Sequence, residues 1–470
     1  MSVMTVPAEK NSSKPITYFV KTFGCQMNVA DSLCYATTLE SLGCIPADSD
    51  ISADILVVNT CSVRAKAEEK AISYIGAMAH ERPAFRKTSV IHQGGIAFVG
   101  CMASVRGDEI RARFPEVKVI LPATEIDRFE SIILSVFPEL DIASRYEAHP
   151  VLRPEERFER FLPIVRGCAN RCSYCIVPYA RGSEISSRHP DEIFREIDNL
   201  INQGIKSITL LGQNVCAYGT DITDEWQDFK SGYAFHDLLS DIRKRFESAD
   251  VWFKFLTSHP RDFSEDLTEA IASSECFSKG FHLPLQAGDD EILRRMARGY
   301  TSDGYRNLIN RIRSTIPTMR LTTDLIVGFP GEDETAFEHT LDMVREIGFD
   351  SAFTFLYSPR AGTPAEKWAD PIPRDEKKRR LQILIELQNE IALERARKHI
   401  GEERTVLVEG PATSPSSPGK GFVAGRTREG EVVIFPGDII EAGKFILARI
   451  TGAHLRSFSA ERISIVNKND

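Results

Sequence analysis

Four short apolar runs, ITYFVKT (16–22), DILVVNT (54–60), IAFVGC (96–101) and VKVILPA (117–123), alternate with stretches of helical character such as 32–42 and 63–80. Alternating strand and helix constrain this chain strongly. Parallel neighbours need a crossover between them, and the crossover helices then cover the sheet. The expected fold class is therefore α/β, with residues 16–145 forming a Rossmann-like parallel sheet domain. Residues 1–15 are polar and lack an apolar h-region, so they read as a disordered tail and not as a signal peptide. The acidic, turn-rich stretch 124–158 reads as the passage to a second domain.

A second βα series follows: FLPIVRG (161–167), SITLLGQ (207–213), WFKFLTS (252–258), FHLPLQ (281–286), RLTTDLIVGFP (320–330) and SAFTFLY (351–357). These six units suit a complete or partial (β/α) barrel over residues 154–395, with its site on the carboxyl-end loops. A charged helix over about 374–398 carries Leu381, Leu384, Leu387 and Ile391 at helical spacing. After Gly401 the pattern changes to TVLVEG, GFVAGRT, EVVIFPG and FILARITGAH, interrupted by the flexible loop SPSSPGKG. Residues 399–466 thus read as a small β-barrel of a kind that handles oligonucleotides.

A length of 470 residues suits two or three domains. Apolar residues at 42% and charged residues at 27% are ordinary for a soluble chain. No apolar run is long enough to span a membrane. Without an export signal, the expected location is the cytoplasm, where thiols stay reduced. There the ten cysteines point to metal sites or catalysis more than to disulfides. A net charge of −9 argues globally against nucleic acid as partner. A local basic patch can override it, because phosphates respond to charge within a Debye length.

Cys168, Cys172 and Cys175 are spaced C-x3-C-x2-C directly after a strand. Three thiolates can hold three irons of a four-iron cluster, leaving one iron open to an outside chelate. The amino and carboxylate groups of methionine suit that position. Electron transfer into the sulfonium of S-adenosylmethionine would then release an adenosyl radical. Zinc or buried structural thiols are the alternative, but zinc takes four ligands and no fourth Cys or His lies nearby in sequence. Cys25, Cys61 and Cys101 each follow a strand, where parallel sheets place ligands. From the pattern alone, a second metal site and three ordinary buried thiols are equally open. Cys34, Cys44, Cys216 and Cys276 read as small hydrophobes.

The ordered segments GCQMN, NTCSVRAKAE, VGCMA, RGCANRCSYCIVPYARG, LGQNV, TSHP, HLPLQAGDD, LIVGFPGE and SPRAGTPA resemble the radical S-adenosylmethionine methylthiotransferases, over about residues 16 to 466. The resemblance implies insertion of sulfur and a methyl group at an unactivated carbon–hydrogen bond. It implies two 4Fe–4S clusters: an auxiliary one on Cys25, Cys61 and Cys101, and the radical cluster on Cys168, Cys172 and Cys175. S-adenosylmethionine would be both methyl donor and radical source. The last barrel resembles the RNA-binding TRAM module. Tyr174, Gln213, His282, Gln286, Gly328 and Glu332 resemble cofactor-wall positions, with packing, turn or barrel-rim roles as their alternative.

Three sister groups share this layout. They modify isopentenyl-adenosine in tRNA, threonylcarbamoyl-adenosine in tRNA, or an aspartate of a ribosomal protein. NVADS, YCIVPYARG and HLPLQAGDDEILRRMARGYT most resemble the first group. The expected target is therefore carbon 2 of isopentenyl-adenosine beside the anticodon. Lys377, Lys378, Arg379 and Arg380, with Arg426 and Arg428, are expected to guide the anticodon stem-loop, and a solvated helix face is the alternative for the first four. The adenine would have to leave the stack to react. A flavodoxin or ferredoxin is the expected electron donor by analogy, and a monomer is expected. A non-catalytic iron–sulfur RNA-binding protein is the alternative from another class, and a zinc-bearing RNA module is a third.

Overall fold

The structure is a computed structural model that describes residues 15–63, 65–81, 95–138, 140, 158–222, 229, 232–412 and 421–466. The expected tail up to residue 14, most of 141–158 and nearly all of SPSSPGKG lie outside the described residues. The chain forms two compact units, Met1–Val151 and Leu152–Asp470. No described helix is long and apolar enough to cross a membrane.

The first unit runs β1 (Thr17–Thr22), α1 (Gln26–Ser41), β2 (Ile45–Pro46), β3 (Ile55–Thr60), α2 (Ala65–Glu81), β4 (Gly95–Gly100), α3 (Cys101–Arg113), β5 (Val117–Pro122) and α4 (Phe129–Val136). All five strands are parallel, in the order β2-β1-β3-β4-β5. Every residue of β3 and β4 is buried. Alternate side chains serve opposite faces. Ile55, Val57, Ala97 and Val99 pack with Tyr35, Leu39, Phe129 and Ile133. Leu56, Val58, Ile96 and Phe98 pack with Ala71, Ile75, Met102 and Ile110. The two-residue strand β2 was not expected, and two helices depart from expectation. Helix α1 starts at Gln26, because Cys25 acts as its cap and the Asn28 side chain accepts the Cys25 N–H at 3.4 Å. Helix α4 occupies the stretch read as a passage, and its buried Phe129 and Ile133 make it part of this core.

The second unit begins with β6 (Glu159–Pro163), β7 (Val165–Arg166), α5 (Val177–Arg181), β8 (Ser186–Ser187), α6 (Pro190–Asn202), β9 (Ser207–Leu211), α7 (Phe235–Phe246) and β10 (Trp252–Leu256). It continues with α8 (Glu265–Ala272), β11 (Gly280–His282), α9 (Asp290–Arg295), α10 (Ser302–Thr315), β12 (Arg320–Val327), α11 (Glu334–Ile347), β13 (Ser351–Leu356) and α12 (Arg374–Arg397). Strands β6, β9 and β10 form one parallel sheet, and β11, β12 and β13 another. A bridge from Phe253 to Phe277 joins them into one arc. Among the described residues no ladder joins β13 to β6, so the barrel is partial. Strand β11 is short because Pro284 has no N–H to give the ladder, and pairing resumes at Gln286 opposite Leu325.

The last strands are β14 (Glu403–Pro411), β15 (Phe422–Thr427), β16 (Val432–Pro436), β17 (Phe445–Ala453) and β18 (Phe458–Val466). They close into a barrel in the order β14-β15-β16-β18-β17. Strand β18, FSAERISIV, was not expected, because its central Glu461 and Arg462 interrupt the apolar pattern. This small barrel covers the amino-end foot of the larger one. Trp252, the first residue of β10, packs against Leu407 and Phe445, with 4.7 Å between the Trp252 and Phe445 rings.

Candidate active site

Strand β6 delivers the chain to the carboxyl end of the partial barrel, where Gly167 takes φ +79. A Cβ at Gly167 would stand 1.7 Å from the Glu184 carbonyl oxygen, so this backbone crossing requires glycine. The Gly167 N–H donates to Gln213 Oε1 at 2.7 Å, and the Cys168 N–H donates to the Gly182 carbonyl at 3.1 Å. Gln213 lies two residues beyond β9 and so anchors the start of the cysteine loop. The middle of the loop is held from the turn after α9. Ser173 donates its N–H to the Met296 carbonyl at 3.1 Å and its hydroxyl to the Arg295 carbonyl at 2.8 Å. Arg298 is buried and donates to Cys172 Sγ at 3.3 Å. Arg261 donates to Asn170 Oδ1 at 2.5 Å.

Cys168 and Cys172 are buried, and Cys175 is half-buried. Burial pushes the Cys175 thiol up to about 12, and neighbouring Cys172 adds to it. Burial also raises Cys168, with Cys172 and Asp262 adding to the shift. A bound cation reverses that balance, because it favours the thiolates. Among the described residues no three Cys, His, Asp or Glu side chains stand as a ready-made metal shell. The fit rests instead on the donor chemistry and the surroundings. Three thiols on one loop are the donor set of a four-iron cluster with one open iron. Nearby, His259 Nε2 and Gln286 Oε1 are buried and lack a hydrogen-bond partner among the described residues. Gln286 also holds a left-handed φ of 73°, as does Thr257 at the end of β10. Strain of that kind in non-glycine residues concentrates at functional sites.

The other expected residues divide. Tyr174 packs edge-on against Phe329, with centroids 6.3 Å apart, in the wall beside the loop. Gly328 and Glu332 hold their own turn: the Gly328 N–H donates to Glu332 Oε1 at 2.9 Å, and Arg380 donates to the same oxygen at 2.9 Å. His282 lies deeper than the carboxyl end. It pairs with Thr322, the third residue of β12, and its ring stands 3.0 Å from Thr322 Oγ1 and 3.4 Å from Asp324 Oδ2.

The expected RNA-guiding residues all have carboxylate partners within the chain. Lys377 and Arg380 are buried, because positions 377, 380, 384, 388 and 392 form the packed stripe of α12. Lys377 bonds Asp370, and Arg380 bonds Glu332, Glu334 and Glu376. Lys378 and Arg379 are exposed but paired with Asp375 and with Glu376 and Glu334. Arg426 pairs with Glu409 at 2.9 Å, and Arg428 with Glu275 at 2.6 Å; the latter contact joins the two barrels. Asp375 and Glu376 are partners within the same helix, whereas Glu332, Glu334 and Glu275 come from distant segments that charge counting could not reveal.

In the first unit, Cys25 follows β1, Cys61 follows β3 and Cys101 opens α3 directly after β4. These three strands are neighbours, and β1/β3 is the switch point of the 2-1-3-4-5 order, where open α/β sheets bind ligands. The buried Asn28 and Asn59, which residue pattern alone did not single out, tie the loops together. Asn28 Nδ2 donates to Asn59 Oδ1 at 2.9 Å, and Asn59 Nδ2 donates to the Asn28 carbonyl at 2.8 Å. Asn28 Oδ1 accepts from Cys25 Sγ at 3.3 Å.

A partial barrel with such a loop after its first strand is the frame of a radical S-adenosylmethionine enzyme, and residues 162–344 match the radical SAM superfamily. Residues 17–122 match the uncharacterized protein family UPF0004, and 397–461 match the TRAM domain. The radical S-adenosylmethionine methyltransferase TsrM from Kitasatospora setae shares the fold, with a TM-score of 0.52 and 12% identity over 88% of this chain and 80% of that one. The tRNA-2-methylthio-N(6)-dimethylallyladenosine synthase of Carboxydothermus hydrogenoformans is 40% identical over 93% of this chain and 97% of its own length. That of Pelotomaculum thermopropionicum is 41% identical over 93% and 96%. The chain belongs to the tRNA-2-methylthio-N(6)-dimethylallyladenosine synthase family.

Proposed function

We propose that this enzyme methylthiolates carbon 2 of N6-isopentenyladenosine beside the anticodon of tRNA. The observation that carries the proposal is full-length identity to synthases of that name, combined with two cysteine triads at the carboxyl ends of two parallel sheets. Cys168, Cys172 and Cys175 would hold the radical cluster, and Cys25, Cys61 and Cys101 the auxiliary one. When bound, these two 4Fe–4S clusters with S-adenosylmethionine supply a hydrogen-abstracting radical and a methylated sulfur.

The chain's own residues do the placing. Gln213 and Ser173 fix the radical loop against the barrel rim. His259, kept neutral by burial and by the nearby Arg298 charge, and Gln286 offer polar atoms toward a bound ligand. Asn28 and Asn59 fix the auxiliary loops. The small barrel, at the foot of the larger one, would hold RNA, with Arg426 and Arg428 as candidate contacts that would exchange Glu409 and Glu275 for phosphate. Domain limits of 16–145, 154–395 and 399–466 follow this division of labour. A small flavodoxin or ferredoxin as electron donor, a monomeric state and a cytoplasmic location belong to the same reading.

The test is incubation of anaerobically reconstituted protein with anticodon stem-loops bearing isopentenyl-adenosine or threonylcarbamoyl-adenosine, followed by nucleoside mass analysis. Gain of one methylthio group on the isopentenyl substrate alone is expected. Gain only on the other RNA, or on neither, contradicts the proposal.

A further inference from the structure

Arg298 is about 5% exposed, and among the described residues no carboxylate pairs with it. Its bonds go elsewhere: Nη1 to Cys172 Sγ at 3.3 Å, Nη2 to the Pro284 carbonyl at 3.1 Å, and Nε to the Tyr300 hydroxyl at 3.0 Å. The Tyr300 hydroxyl is in turn fixed by the Pro284 and Leu285 carbonyls at 3.0 and 2.9 Å. A buried guanidinium without a carboxylate is costly unless another negative group faces it. The available group is the thiol set of the cysteine loop.

The backbone is shaped to put it there. Ala297, just before it, holds φ 56, a left-handed conformation that usually falls to glycine at a helix end. The same short turn grips the loop three times, through the Arg295 carbonyl, the Met296 carbonyl and the Arg298 guanidinium.

We propose that Arg298 is a positioning residue that raises the reduction potential of the cluster held by Cys168, Cys172 and Cys175. This rests on the cluster reading given above. One added electron makes the cluster more negative. A donated N–H on a ligand sulfur and a nearby fixed positive charge both favour that reduced state. Tyr300 and the Pro284 carbonyl hold the guanidinium in place for it.

The experiment is an EPR-monitored redox titration of full-length, anaerobically reconstituted wild type, R298Q and R298K. The Cys25/Cys61/Cys101 triple alanine variant, which keeps only the cluster on the Cys168 triad, identifies that cluster's signal. Expected is a drop of about tenfold in the reduction equilibrium constant for R298Q, or about 59 mV for a one-electron couple. A smaller drop is expected for R298K, with the second cluster unmoved in both. If R298Q fails to retain iron, the R298K titration decides by the same criterion. Retained iron with an unshifted potential overturns the proposal, as does an equal shift of both clusters. Absence of iron on the Cys168 triad in wild type would instead sink the cluster reading beneath it.

Discussion

Asn28 and Asn59 are locked by reciprocal hydrogen bonds of 2.9 and 2.8 Å at the carboxyl end of the first sheet. Asn28 sits three residues after Cys25, and Asn59 two residues before Cys61. The third loop is fitted to the same pair, since a Cβ at Gly100 would stand 2.3 Å from Asn59 Oδ1. Positions far apart in sequence thus share one buried polar clasp.

Asn59→Ala removes that clasp and leaves the Asn28 side-chain amide without its Asn59 acceptor. The expected cost is about 1–3 kcal/mol for a buried group left unsatisfied. Denaturant unfolding of the iron-free protein measures it. The reconstituted variant should also lose iron from the first triad while keeping that of the second. Unchanged stability together with unchanged iron would show that the clasp does not hold the loops.

The lysine–arginine run of α12 separates into two kinds of residue. Arg380 and Glu332 form an ion pair whose side chains are 7% and 1% exposed. Arg380→Ala leaves the Glu332 carboxylate buried and unpaired, at an expected cost of about 3–5 kcal/mol. The exposed Lys378 and Arg379 should each cost less than about 1 kcal/mol when changed to Ala. Thermal melts of the three variants check the contrast, and equal melting temperatures would contradict it.

Burial, helped by the nearby Arg298 charge, lowers His259 from its ordinary range to about 3. The folded state therefore keeps this imidazole neutral where the unfolded chain binds a proton. Its stability contribution is fully present above about pH 6.5 and is lost as pH falls toward 3. Between these limits the slope approaches about 1.4 kcal/mol per pH unit. Stability measured from pH 7 to 4.5 should fall less steeply in His259→Gln than in wild type. Parallel curves would mean that the imidazole titrates normally.

The two sheets were legible because their strands are short apolar runs followed by cysteine or glycine, such as DILVVNT before Cys61 and FLPIVRG before Cys168. The Cys168 triad stood out by its C-x3-C-x2-C spacing after such a strand, whereas Cys25, Cys61 and Cys101 stayed open on pattern alone and were assigned by the family resemblance. Strand β18 was hidden by Glu461 and Arg462, which break its apolar run, and β2 by its two-residue length. The site residues that escaped notice, Asn28, Asn59 and Arg298, act through partners 31 or 126 positions away, which spacing cannot reveal. The basic residues are ambiguous for a related reason. A lysine or arginine looks alike in sequence whether it faces phosphate or, like Arg380 and Arg428, a carboxylate from another segment.

The most direct test of two clusters in one chain is iron and acid-labile sulfide analysis of anaerobically purified protein. The comparison is with the Cys168/Cys172/Cys175 and Cys25/Cys61/Cys101 triple alanine variants. The account predicts about eight irons in wild type and about four in either variant. About four irons in wild type, falling to none when the second triad is removed, would contradict it, because the first triad would then hold no cluster and the sulfur-donating site would be lost.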